Sequence, residues 1–225
     1  METNLKDVLE RNKVNFCKVV DVDLEKDVII QFDFTENNKE IYPALIASTE
    51  NFSAWVNKKL EEANAKFAIG GYNENRVLYK RSNLFEGQQE RSLHLGVDVW
   101  GAAGTKVYMP VGGMVHSFAF NDNFGDYGAT IIMQHHIEMA TFYTLYGHLS
   151  LADLKPLRIG KYIGRGEVIG HFGLPAENGN WPPHLHFQLI DDIGIKLGDY
   201  PGVCSTKESE AYLKNCPNPN LMFNF

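Results

Sequence analysis

Three short stretches of the chain carry residue types that can ligate a metal or move a proton. The first is His94-Leu95-Gly96-Val97-Asp98. Along an extended strand side chains alternate between faces, so His94, Gly96 and Asp98 share one side while Leu95 and Val97 take the other. The second, His184-Leu185-His186-Phe187-Gln188, repeats that design, with His184, His186 and Gln188 on one face above an apolar one. The third, Thr144-Leu145-Tyr146-Gly147-His148-Leu149-Ser150, ends a strand on a further imidazole before a turn. Two such strands side by side in a sheet would converge three imidazoles and a carboxylate in one groove. Neutral imidazole nitrogen and carboxylate oxygen suit zinc, and a catalytic zinc takes three protein ligands and leaves a fourth position for water. There is no HExxH, which excludes a glutamate on a ligand-bearing helix as the base.

The elements that must position these residues fall into three zones. Residues 1–86 read as an α/β appendage. A short charged helix comes first, then a strand over Val28–Phe34. A helix from about Glu50 carries Phe52, Trp55, Val56, Leu60 and Ala63 as one apolar stripe. Ser48 or Thr49 is its expected cap, Gly70-Gly71 its expected end, and its stripe is expected to dock on the neighbouring domain. Residues 87–203 alternate β-rich runs with glycine turns: 106–109, 113–120, 129–136, 141–146, 168–172 and 184–190. That rhythm predicts a mainly β domain, an antiparallel sandwich or partial barrel, and an α+β chain overall. Residues 204–225 hold a short helix over 207–214 and a Pro/Asn-rich tail.

Composition narrows the function class. The chain has 225 residues, 44% hydrophobic and 22% charged, close to globular averages, which excludes bulk disorder. Its formal net charge of -7, without a basic stripe, argues against a nucleic-acid partner. No apolar run is long enough to span a bilayer. The charged start METNLKDVLERNK is unlike a secretory leader, so a cytoplasmic location is expected. Cys17, Cys204 and Cys216 are too few and too scattered for a Cys-rich zinc module. His135-His136 read as a turn pair, His116 and His171 as structural strand residues, and Tyr146 and Trp181 as packing or substrate-contacting aromatics.

Taken together, the three stretches resemble the lysostaphin-type (LytM-like) zinc metallopeptidases, which cut the peptide cross-links of bacterial cell walls. His94-Leu95-Gly96-Val97-Asp98, Tyr146-Gly147-His148-Leu149-Ser150 and His184-Leu185-His186-Phe187 occur in that family's order. The glycine-punctuated runs around Gly104–Val115 and Ile159–Gly170 are also similar to it. The resemblance spans about residues 90–190 and implies one zinc per chain held by His94, Asp98 and His186. It further implies that His148 and His184 are the catalytic pair and that the substrate is a peptide or peptidoglycan-type peptide. Two positions depart from the family's habit. Asn178-Gly179-Asn180-Trp181-Pro182-Pro183 stands where a Ser/Thr-Gly segment is common, and Gln188 where glutamate is common. Two other functions fit the same residues: a cytosolic zinc amidohydrolase for a small non-wall amide, and a non-catalytic LytM-like binding module. Nothing in the sequence fixes an oligomeric state.

Overall fold

The computed structural model describes residues 4–81 and 91–223. Its strands are β1 (Val28–Phe32), β2 (Ala65–Gly70), β3 (Leu93–His94), β4 (Val97–Trp100), β5 (Lys106–Tyr108) and β6 (Gly113–Asn121). They continue with β7 (Gly128–Ile137), β8 (Ala140–Leu149), β9 (Tyr162–Ile163), β10 (Val168–His171), β11 (His184–Ile190) and β12 (Val203–Cys204). The α-helices are α1 (Leu5–Asn12), α2 (Pro43–Ala47), α3 (Thr49–Glu62) and α4 (Ser209–Asn215).

The fold is mainly β, as the sequence predicts. Eight strands form one sheet in the order β1-β2-β4-β11-β8-β7-β6-β9, and its two ends do not meet, so the sheet is open. Small ribbons β10-β5 and β12-β3 flank it. All neighbours in the large sheet are antiparallel except β1 and β2, which makes the sheet mixed. That parallel pair needs a crossover, and α2 and α3 supply it.

Helix α3 starts where expected: the Ser48 hydroxyl accepts the Asn51 N–H at 3.2 Å. It stops earlier than Gly70-Gly71. Asn64 takes a left-handed backbone (φ 48°), and the next residues, Ala65–Gly70, are strand β2 rather than a helix tail. Phe52 and Val56 from the α3 stripe are buried. Phe52 lies 5.7 Å from the Trp100 ring and 6.5 Å from the Trp181 ring, so α3 packs against the wall of the histidine-bearing sheet. Through β2, the N-terminal segment is a strand of that same sheet, with Gly70 opposite Asp98.

The structure also corrects the reading of His135-His136. Strand β7 runs on to Ile137 and the turn follows at Glu138, whose φ is 55°. His135 is buried within the sheet, its ring bonded to the Gly112 carbonyl at 3.1 Å and the Thr144 hydroxyl at 2.7 Å.

Candidate active site and metal centre

Sheet register brings the three sequence stretches together. Strands β4 and β11 pair so that His186 faces Asp98 and His184 faces Trp100, and β11 pairs with β8 so that His186 also faces Gly147. His94 and Asp98 do not share one extended strand as the sequence suggests: the chain bends at Gly96, and His94 arrives from the separate ribbon β3, held in place by β12 (Val203 opposite His94). Gly96 is what lets this row close. A Cβ there would stand 2.5 Å from Cε1 of His186 and 2.9 Å from the Phe187 carbonyl, so a side chain between His94 and Asp98 would occupy the space of the imidazole ring.

His94, Asp98 and His186 are buried and mutually close. His94 Nε2 lies 3.0 Å from His186 Nδ1 and 3.3 Å from Asp98 Oδ1, and His186 Nδ1 lies 3.1 Å from that same oxygen. The far side of each ring fixes its tautomer. His94 Nδ1 sits 2.8 Å from the Gly71 carbonyl, which can only accept, so the proton is on Nδ1 and the Nε2 lone pair faces inward. Gln188 donates its amide to the Pro201 carbonyl at 3.1 Å, which turns Oε1 toward His186 Nε2 at 2.9 Å. The His186 proton is therefore on Nε2, and the Nδ1 lone pair faces inward. Two lone pairs and a carboxylate oxygen thus converge with no proton between the two nitrogens. Tetrahedral zinc ligands at 2.0–2.1 Å stand about 3.3–3.4 Å apart, close to the spacing seen here, so these three atoms could hold a divalent cation. Burial opposes ionisation of Asp98, but the imidazoles beside it and the Arg76 guanidinium outweigh it and hold the carboxyl well below its usual range. Burial, with the nearby Arg76 charge, lowers His94 to about 4 and keeps it neutral.

The second pair of histidines is oriented the same way. His184 donates Nδ1–H to the Pro182 carbonyl and His148 donates Nδ1–H to the Asn178 carbonyl, both at 2.8 Å, leaving each Nε2 as an acceptor. The two rings stack at 4.0 Å, and Trp100 backs His184 in a near-parallel stack at 3.9 Å. Burial pushes His184 down to about 4, and burial plus the neighbouring His184 pushes His148 well below its usual value. His148 has a φ of 62°, a backbone state that non-glycine residues seldom take. It sits beside a register irregularity between β7 and β8, which re-aims the end of β8 toward the site. Both fixing carbonyls come from the segment in which this sequence departs from the Ser/Thr-Gly pattern. Asn178 braces that segment by accepting the Trp181 N–H at 3.0 Å and donating to the Gly173 carbonyl at 3.1 Å.

Asp98, His148, His184 and His186 line one cavity of about 240 Å³, with Trp181 and Tyr127 on its wall, and His94 lies behind it against Asp98 and His186. The Tyr127 hydroxyl is buried with no hydrogen-bond partner among the described residues, and burial raises its pKa well above 10, so it stays a donor. Tyr146 is core, fully buried against Phe187 at 5.3 Å, and is no part of the cavity. No motif or spacing in the chain marks Arg76. Its guanidinium is buried, bonds directly to Asp98 Oδ2, donates Nε–H to Glu74 at 2.6 Å and Nη2–H to the Gly71 carbonyl at 3.2 Å. A single arginine in a polar loop has no periodicity to betray that it is buried; only the pairing of β2 with β4 carries it to Asp98.

Residues 92–195, just under half of the chain, match the family model described as Peptidase family M23. Over these residues the chain matches an M23 peptidase domain. The M23 relationship indicates a hydrolase of peptide bonds. Similar solved structures include the catalytic domain of the antimicrobial peptidase lysostaphin from Staphylococcus simulans, 18% identical over 72% of this chain and 98% of that one, TM-score 0.40. A zinc-containing peptidase from Vibrio cholerae is 23% identical over 56% of this chain and 36% of its own, TM-score 0.38. The catalytic domain of the prophage-encoded M23 protein EnpA from Enterococcus faecalis is 18% identical over 51% of this chain and 76% of its own, TM-score 0.39. None of the curated proteins matches the chain. Among the described residues no helix is long and apolar enough to cross a membrane.

Proposed function

We propose that the M23 domain is a zinc-dependent endopeptidase hydrolysing amide bonds of peptidoglycan-type peptides. Its metal ligands are His94 Nε2, Asp98 Oδ1 and His186 Nδ1, and its proton carriers are His148 and His184. One observation carries this reading: three electron-rich atoms face one another, each locked inward by a partner on its far side. Without a cation that convergence is repulsive; with one it is a ligand set.

Zinc in that position supplies an activated water with a pKa near 7 and a Lewis acid for the scissile carbonyl. His184 and His148 begin neutral with Nε2 free, so either can take the proton released by the attacking water. Stacked at 4.0 Å, the two rings cannot both be charged, so one proton is held at a time. Once protonated, that Nε2–H becomes the donor for the departing amine. The amide C–N bond breaks, the acyl carbon keeps the water oxygen, and the amine leaves with the proton.

The small cavity of about 240 Å³ also favours a second reading, a hydrolase of small amides, because ligand sites usually measure about 300–1,000 Å³. Turnover of purified wall peptides against a panel of small amides, with and without chelator, separates the two. Zinc content measured beside rate tests the roles. His184→Ala and His148→Ala are expected to keep fold and zinc and lose turnover by about 10²–10⁴-fold. His186→Ala is expected to lose zinc and activity together. Full zinc in Asp98→Ala would overturn the ligand set, and full activity in all the histidine variants would place the site elsewhere.

A further inference from the structure

We propose that Arg76, supplied by the N-terminal segment outside the M23 match, is a positioning residue for the metal centre. It holds the outer oxygen of Asp98 so that the inner oxygen stays aimed at the cation. The inference rests on the ligand set proposed above.

The two oxygens of Asp98 are divided between different partners. Oδ1 faces His186 Nδ1 at 3.1 Å and His94 Nε2 at 3.3 Å, while Oδ2 takes the hydrogen bond from Arg76 Nη1. Arg76 therefore approaches the carboxylate from behind and leaves the metal position clear. The guanidinium is itself immobilised. Nε is bound to Glu74 at 2.6 Å, Nη2 to the Gly71 carbonyl at 3.2 Å, and Glu74 is tied to the Phe34 N–H at 3.1 Å. A side chain at Gly70 would bring a Cβ within 2.6 Å of Nη2, so the backbone of β2 leaves room for the arginine. The Gly71 carbonyl serves twice, accepting from Arg76 and from His94 Nδ1. One turn of the N-terminal segment thus braces two of the three ligands.

Charge supports the same role. With neutral imidazoles, Asp98, Glu74 and Arg76 sum to a single negative charge, a buried balance that a dication can reverse without leaving an orphan anion. Lysine could not substitute. An ammonium is a compact point donor, whereas the planar guanidinium spans Asp98, Glu74 and Gly71 at once. Removing a partner behind a metal ligand typically costs about 10–100-fold in metal affinity.

The test uses the full chain. Zinc affinity is read by competition with a chromophoric chelator, and ligand geometry by the visible spectrum of the cobalt(II)-substituted protein. For Arg76→Gln we expect zinc binding weakened by about 10–100-fold and an altered cobalt spectrum, with circular dichroism unchanged. Arg76→Lys is expected to fall between Arg76→Gln and wild type, and it decides the matter if Arg76→Gln does not fold. Affinity and spectrum equal to wild type in the folded variants would make Arg76 a bystander and overturn the inference alone. Tighter zinc binding would overturn it too, by showing that Arg76 competes with the metal. A wild-type chain that binds neither metal would bring down the ligand set itself.

Discussion

Gly96 decides at the residue scale whether the ligands can meet. The sequence shows a glycine between a histidine and an aspartate, and a strand tolerates that at a cost in conformational entropy. The structure supplies the reason: the His186 ring occupies the volume a side chain would fill. In Gly96→Ala the methyl must push the ring off its Gln188 bond or push the Phe187 backbone out of register. We expect this variant to lose most of its zinc and about 1–3 kcal/mol of stability, the usual range for overpacking a tight site. Metal analysis and thermal melting check both parts, and wild-type zinc content would show that the ring has room to move. Gln188 is legible in the same partial way. Its face on β11 follows from alternation, but its task of fixing the His186 tautomer depends on Pro201, distant in sequence.

At the scale of elements, the long strands were readable because their apolar faces alternate and glycines mark their ends. Strand β2 was not, because Ala65–Gly70 is short and follows a helix whose apolar rhythm runs into it. Strand β7 carries a consequence of its own. His135 is clamped between the Gly112 carbonyl, just before β6, and Thr144 of β8, and burial lowers its pKa from 6.5 to about 4. Above about pH 6.5 the ring is neutral in both folded and unfolded chains, so its full contribution to stability is present. As pH falls from 6.5 toward 4, the unfolded chain takes up a proton that the folded chain refuses. Stability is then lost, at up to about 1.4 kcal/mol per pH unit from this group. Denaturant melts of wild type and His135→Gln across that window check it. The variant is expected to show the shallower slope, and identical slopes would contradict the assignment.

On the scale of the whole molecule, residues outside the M23 match are structural members of the site. β2 is paired to β4, α3 covers Trp100 and Trp181, and the turn after β2 supplies Gly71 and Arg76. A fragment beginning at residue 91 would uncover the β4 edge and leave Asp98 without its cation partner. Removing one partner of a buried pair typically costs about 3–5 kcal/mol, a large share of a domain's net stability. We expect this fragment to lack a cooperative thermal transition and to bind zinc poorly. A fragment that melted cooperatively with wild-type zinc affinity would show the M23 domain to be self-sufficient.

What the amino-acid order settled by itself was local. Strand alternation puts His184 and His186 on one face of β11 and Asp98 on the opposite face of β4 from Val97 and Val99, and turn glycines space the strands. These are near-neighbour properties, governed by backbone geometry over a few residues. Tertiary structure decided how those faces meet: the β4–β11 register, the left-handed backbone at His148, and the carbonyls of Gly71, Asn178 and Pro182 that set three tautomers. It also decided the approach of Arg76 to Asp98. Each of these joins groups through sheet pairing or a folded loop, and no periodicity in the chain encodes which distant backbone oxygen an imidazole proton will find.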